Sequence, residues 1–338
     1  MGVLNVTALI GNETLEQGML TFYNNMRLVT GLILYPVVCV VALPANIISI
    51  LVFTRKKMRS STSIFLLNLA IIDTITIFNN IIYFIDVLLI EISFDIAEQT
   101  FVFFYPYGHY IFNSSMTCTA WLIVAIAIQR YIFVCHSSKA KTICSIPRAI
   151  ILSIAISLTS FGTSIPYLCR YQENNIEITN KSYGTNQTLV ISSLWKNKMF
   201  STAFTSFHYA FRSLIPIILL VVFSLLIVKR LRQCQFRKGK RKTALSLLMV
   251  ILSFVICATP DTVMSAVLQT GYIEASYLIR GIREIADFLL LVNAGFNFII
   301  YSAFNSLFRK TLKEIVYRKS NCHCEKYRSP THHHFATV

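Results

Sequence analysis

The sequence predicts an all-α fold, a single bundle of membrane-crossing helices, on three observations. The chain of 338 residues is 55% hydrophobic and only 14% charged, which is too little polar surface to cover a soluble globule of this size. Almost wholly apolar windows recur along it, each roughly the 20 residues that cross a hydrocarbon core of ~30 Å. None alternates as a barrel strand does, and backbone groups in lipid must be satisfied within their own segment, so each window is a helix.

Seven such windows follow one another. The first, Leu28–Phe53, carries one amide, Asn46. The second, Ser63–Ile90, holds Asn68 and Asp73 and ends near Asp86. Tyr105–Val134 is the third; it contains Asn113 and closes on Gln129-Arg130-Tyr131. Arg148–Leu168 is the fourth, with no charged residue after Arg148. The fifth, Ser201–Val228, is interrupted by Arg212, and the sixth, Ala244–Leu268, by Pro260-Asp261. In the seventh, Leu278–Phe304, Asp287, Asn293 and Asn297 break the apolar run. The chain thus divides into residues 1–27, a helical domain 28–304 and a tail 305–338.

The formal charge of +16 is one-sided. Basic residues gather in the first connection (Arg55, Lys56, Lys57, Arg59), the third (Lys139, Lys141), the fifth (Lys229, Arg230, Arg232, Arg237, Lys238) and the tail (Arg309, Lys310, Lys313). The acids Glu13, Glu16, Glu91, Asp95, Glu98, Glu173 and Glu177 lie in the N-terminus and the even connections. By the positive-inside rule the N-terminus is outside, the tail is cytoplasmic and the positive charge belongs beside anionic lipid, not nucleic acid. Four glycosylation triplets, at Asn5, Asn12, Asn180 and Asn186, all fall in segments assigned outward. No basic segment followed by an apolar core opens the chain, so the first helix is expected to serve as the insertion signal.

Only Cys169 of the nine cysteines is placed near the outer surface, so no extracellular disulfide is expected. Cys322 and Cys324, just past an amphipathic stretch, are candidates for palmitoylation. His323 and His332–His334 read as a solvated tail, and no metal or cofactor is implied.

Ionisable groups inside a bilayer are costly and turn toward a bundle interior or a hydrated cavity. Asp73, Arg212, Asp261 and Asp287, with Arg130 at the inner end of the third helix, are the set here. Asn46 and Asn68 read as helix-bridging amides, whereas Asp73 with Asn297 reads as a hydrated polar site.

These residues fall into an order. Asn46 in PANIISILV, Asn68 and Asp73 in NLAIIDT, Gln129-Arg130-Tyr131, Pro216, Phe254 with Cys257-Ala-Thr-Pro260, and Asn297-Phe-Ile-Ile-Tyr301 followed by Phe308 resemble a rhodopsin-like (class A) G-protein-coupled receptor. The likeness covers all seven helices and the short amphipathic helix after the seventh. QRYIFVCHSSKAKTICS, ALPANI, TSIPY and FNFIIY are similar to FMRFamide-like neuropeptide receptors and to related vertebrate orphan receptors for aromatic amino acids. The lack of a cysteine at the outer end of the third helix, where Tyr105 stands, fits that branch.

The resemblance implies that Arg130, held while the receptor is inactive, meets the G protein when it opens. It implies a switch built from Gln129, Arg130, Tyr131, Phe254, Pro260, Asn297 and Tyr301, and an internal polar or sodium site of Asn46, Asp73, Asn293 and Asn297. Gln129 departs from the usual acid, so a charge-assisted hydrogen bond is lost and raised basal signalling is expected. Ala258 replaces the aromatic residue usual two positions before Pro260, and Ser224 a tyrosine, which leaves a receptor that binds without coupling open as a reading.

Depth along the helices places Asp86, Asn113, His208, Tyr209, Arg212, Asp261, Ser265, Glu284 and Asp287 around a ligand, and the family spacing that the resemblance implies sets Arg212 facing Asp261. The outer acids favour a basic ligand such as an amidated peptide; an aromatic amino acid or other small amphiphile is the alternative. A plasma-membrane receptor coupled to a heterotrimeric G protein is the leading reading. A transporter or channel lacks the expected repeats or broken helices. Gly-x-Ser-x-Gly and His-Glu-x-x-His patterns are missing, so an enzyme is not expected.

Overall fold

The computed structural model describes residues 2–136, 140, 142–176, 186–233, 238–268 and 275–326; among these the side chains of 2–14, 94, 173–176, 186–188, 238–243, 266–268 and 317–326 lie outside the description. Lys139, Lys141, Glu177, Asn180, Cys234, Arg237 and His332–His334 fall outside the described residues, as do the side chains of Asn5, Asn12, Asn186, Cys322, His323 and Cys324.

Among the described residues seven helices are long and apolar enough to cross a membrane: α1 (Leu15–Phe53), α2 (Ser61–Ile92), α3 (Asp95–Cys135), α4 (Ile146–Cys169), α5 (Lys198–Gln233), α6 (Ala244–Ser265) and α7 (Tyr277–Phe304). An eighth, α8 (Ser306–Lys326), follows α7 at once. The seven windows read from the sequence correspond to α1 to α7 in order. Two helices run well past those windows. The first helix begins at Gly2, turns through a π-type segment at Val29–Leu34 and continues as Tyr35–Phe53. The third begins at Phe94, so its acidic first turns are helical and not a loop.

Among the described residues one hairpin of two strands is not helical. Strands β1 (Tyr171–Ile176) and β2 (Asn186–Ile191) pair antiparallel between α4 and α5, Tyr171 opposite Ile191 and Ile176 opposite Asn186. The end of the bundle that carries this hairpin is called the hairpin end below, and the end with the lysine- and arginine-rich connections the basic end.

Caps set the boundaries. The Ser60 hydroxyl accepts from the Ser63 amide at 3.1 Å and starts α2, and Asn197 Oδ1 accepts from Met199 and Phe200 at 3.0 and 3.3 Å to start α5. Asn305, extended at φ −96° and ψ 102°, ends α7, and its side chain caps α8 at Leu307 and Phe308, both 3.1 Å. The bend seats Phe308, fully buried, against Phe53 and Tyr301 at 5.5 and 5.8 Å between ring centres.

α3 is the axis of the bundle. Leu122, Ile123 and Ile126 are fully buried among Leu69, Leu220, Ile251 and Phe254 from three other helices. Apolar side chains also cover the outside, among them Val40, Ile151, Leu158, Leu225 and Ile256, each more than half exposed. Such a band is unfavourable in water and is what a hydrocarbon layer accepts. Two amides bridge helices as read: Asn46 donates to the Ala294 carbonyl at 2.9 Å, and Asn68 to Ser153 and Ser157 hydroxyls at 2.8 Å each.

Candidate functional site

At the hairpin end the helices part around a pocket of about 1100 Å³, counting the space at its mouth. Four carboxylates line it, Asp86, Asp261, Glu284 and Asp287, with Arg212 and Arg283 among them. Helical spacing explains the grouping: Glu284 and Asp287 are three residues apart on α7 and so share a face. Glu284 is buried and held by two hydroxyls, accepting from Tyr83 of α2 at 2.8 Å and from Thr30 of α1 at 3.3 Å. The rings of Tyr35 and Tyr83 meet edge-on at 5.4 Å beneath it. Phe101, Phe104, Tyr105 and Phe112 of α3 give the wall its aromatic surface.

Arg212 and Asp261 form an ion pair across α5 and α6, as the family spacing implied, with side chains only 10% and 11% exposed. The guanidinium also donates to Asn113 Oδ1 at 2.6 Å and lies over the Phe112 ring at 5.5 Å. A second compartment of about 510 Å³ adjoins this pair under the hairpin. Arg170, Arg212 and Arg283 line it with His109 and His208, and its described lining holds no carboxylate. Arg170 stacks on Trp195 at 4.5 Å, which fixes the hairpin's entry to the bundle.

The sequence-derived candidates therefore separate. Asp86, Asn113, Arg212, Asp261, Ser265, Glu284 and Asp287 line the larger pocket, whereas His208 and Tyr209 belong to the arginine-lined compartment only. His208 is almost wholly buried, its ring nitrogens 3.3 Å from the Ser164 and Tyr167 hydroxyls. Tyr35, Tyr83, His109, Arg170 and Arg283 were not singled out by the sequence. Nothing in an isolated tyrosine or arginine near a helix end reports which way it points; only the helix rotation does.

Midway down, Asn297 donates to Asp73 at 2.8 Å, which brings the two residues read as the polar site together. Asn293 sits instead within 3.5 Å of the Ser253 hydroxyl, and Asn46 is committed to α7 backbone. Tyr301 is buried against Phe53 at 5.3 Å.

At the basic end, Gln129 and Arg130 do not hold one another directly. Gln129 donates to Ser61 at 2.8 Å and accepts from Thr62 at 2.7 Å, and Arg130 donates to that same Thr62 hydroxyl. The expected amide–guanidinium contact is replaced by a shared hydroxyl on α2. Tyr131 packs its ring between Phe223 and His136, at 5.5 and 5.6 Å. Phe254 is buried within α6, one turn and a half before Pro260, the proline inside that helix.

Comparison with known proteins agrees with this arrangement. The profile of the family described as 7 transmembrane receptor (rhodopsin family) matches residues 45–301. The sex peptide receptor of Drosophila melanogaster is 26% identical over 324 positions, covering 83% of this chain and 71% of that protein. The FMRFamide receptor of the same organism is 24% identical over 319 positions, with 91% of this chain but only 56% of that protein covered. Galanin receptor type 1 of Mus musculus is 24% identical over 315 positions, covering 86% and 82%.

Proposed function

The chain belongs to the rhodopsin family of seven-transmembrane receptors, and from that premise we propose that it carries a peptide signal across the plasma membrane to a heterotrimeric G protein. The N-terminus, residues 1–27, and the hairpin end face outward; the basic connections, α8 and the tail face the cytoplasm. One-sided lysine and arginine and four outward glycosylation triplets support that orientation.

The divided polarity of the pocket carries the ligand assignment. A cavity lined by four carboxylates, two arginines and a wall of aromatic rings suits the end of a peptide, which presents cationic, aromatic and carbonyl groups together. Asp86, Glu284 and Asp287 receive a cationic side chain, and the arginine-lined compartment receives carbonyl or carboxylate oxygens. The names of the similar Drosophila and mouse receptors support a peptide as well.

A peptide that prefers the open form shifts the population by its differential affinity for the two states. Opening requires α6 to move about Pro260 and Arg130 to leave Thr62 for the G protein. The test is nucleotide exchange driven by a panel of basic peptides, each with an amidated and a free C-terminus. Asp86→Asn and Asp287→Asn should each weaken the response by about tenfold, the worth of one hydrogen bond to a charged group. A receptor driven equally well by acidic peptides in both variants would contradict this reading.

A further inference from the structure

A third cavity, of about 790 Å³, opens on the flank of the bundle between α3 and α4 and shares no lining residue with the two compartments above. Trp121, Val124 and Ile128 of α3 face Ala149, Leu152 and Ile156 of α4 across it. Leu152 is 47% exposed and sits on the rim, and its neighbours Ile151, Ile154 and Leu158 turn wholly outward, so the opening faces the hydrocarbon layer. Polar residues gather at its basic end, Gln129, Ser145 and Arg148 among them. Gln129, buried and bonded to Ser61 and Thr62, stands at the back. Arg148, exposed at the basic end, donates to the Thr142 carbonyl at 2.7 Å and has no acidic partner among the described residues.

We propose that this groove is a lipid site: an acyl chain of an anionic glycerophospholipid lies between α3 and α4, with its phosphate at Arg148. The assignment rests on the orientation given above, which puts Arg148 at the cytoplasmic leaflet, where anionic headgroups concentrate. An apolar cleft open to lipid gains dispersion contacts when a chain fills it, and water gains nothing there. Arg148 supplies the charge complementarity that selects an anionic head. The first carbons of the chain then pass Gln129, the residue before Arg130, so membrane composition bears directly on the contact that holds the closed state.

The full chain in phosphatidylcholine nanodiscs, doped with photoreactive-acyl phosphatidylserine or photoreactive-acyl phosphatidylcholine, tests this by mapping the cross-linked peptides. The expected label falls on residues 121–132 and 143–156, about fivefold more with the serine headgroup, as one arginine at the interface implies. Arg148→Gln should bring the serine probe down to the choline level. Leu152→Trp, a change on an exposed rim, should empty the groove of both probes. Equal labelling by the two probes in the parent chain, or labelling of α4 unchanged by Leu152→Trp, would overturn the proposal. Both leaflets of a disc carry the probe, so the result reads the groove whatever the orientation, and a C-terminal epitope on intact cells tests the orientation separately.

Discussion

Thr62 bears more of the switch than any residue the sequence singled out. It donates to Gln129 and accepts from Arg130, and with Ser61, which accepts from Gln129, it ties α2 to α3 where an acid would have bound the arginine directly. A carboxylate restores a charge-assisted bond, worth about 1 kcal/mol more than a neutral one. Gln129→Glu should therefore lower ligand-free nucleotide exchange about fivefold, and Thr62→Val should raise it; exchange measured at matched surface expression checks both, and an unchanged Gln129→Glu receptor contradicts the assignment. The Arg212–Asp261 pair behaves differently because it is nearly dry. Asp261→Ala strands the guanidinium and should cost about 3–5 kcal/mol of stability, whereas the double replacement Arg212→Met with Asp261→Leu should recover most of it. Thermal unfolding of the purified variants gives the answer. That these two face each other was legible because each is a lone charge in an apolar window and the family spacing sets the two windows side by side. Thr62 and Ser61 were not, since hydroxyls at a helix start read first as caps.

At the scale of elements, apolar windows located every crossing but shortened α1 and α3. The missing turns are polar, Glu13 to Gln17 in one and Asp95 to Gln99 in the other, and amphipathic extension looks like loop when only hydropathy is counted. The extension of α1 packs on α7 at Gly281, where an added Cβ would come within 2.5 Å of the Phe22 ring. Gly281→Val should cost about 1–3 kcal/mol through overpacking, seen as a lower unfolding temperature, and Phe22→Ala in the same chain should relieve it; additive losses would show that the two do not meet. The hairpin was not foreseen either. Its strands have no long apolar alternation, and their pairing is fixed by the ends of α4 and α5. In α6, Pro260 leaves the Ile256 carbonyl without its helical partner and forms a hinge. Pro260→Ala should stabilise the unkinked helix and reduce peptide-driven exchange while leaving surface expression intact.

Over the whole molecule, charge and depth act together. Positive charge gathers at one end, carboxylates line the cavity at the other, and the buried Asp73–Asn297 hydrogen bond lies between them. This vertical order was readable from sequence because a bilayer penalises each ionisable group by its depth. The lateral order was not, because which helix face meets the pocket depends on packing around α3. The split of the pocket into acidic and arginine-lined compartments is the result. Transmission from pocket to basic end is the central claim, and it has one most direct measurement: guanine-nucleotide exchange on a panel of Gα subunits, without ligand and with amidated basic peptides, for the parent chain beside Arg130→Ala at equal surface expression. The expected result is measurable basal exchange that peptide raises and that Arg130→Ala abolishes in both conditions. Exchange that persists in Arg130→Ala, or a parent chain that binds peptide and drives no Gα subunit, would contradict it.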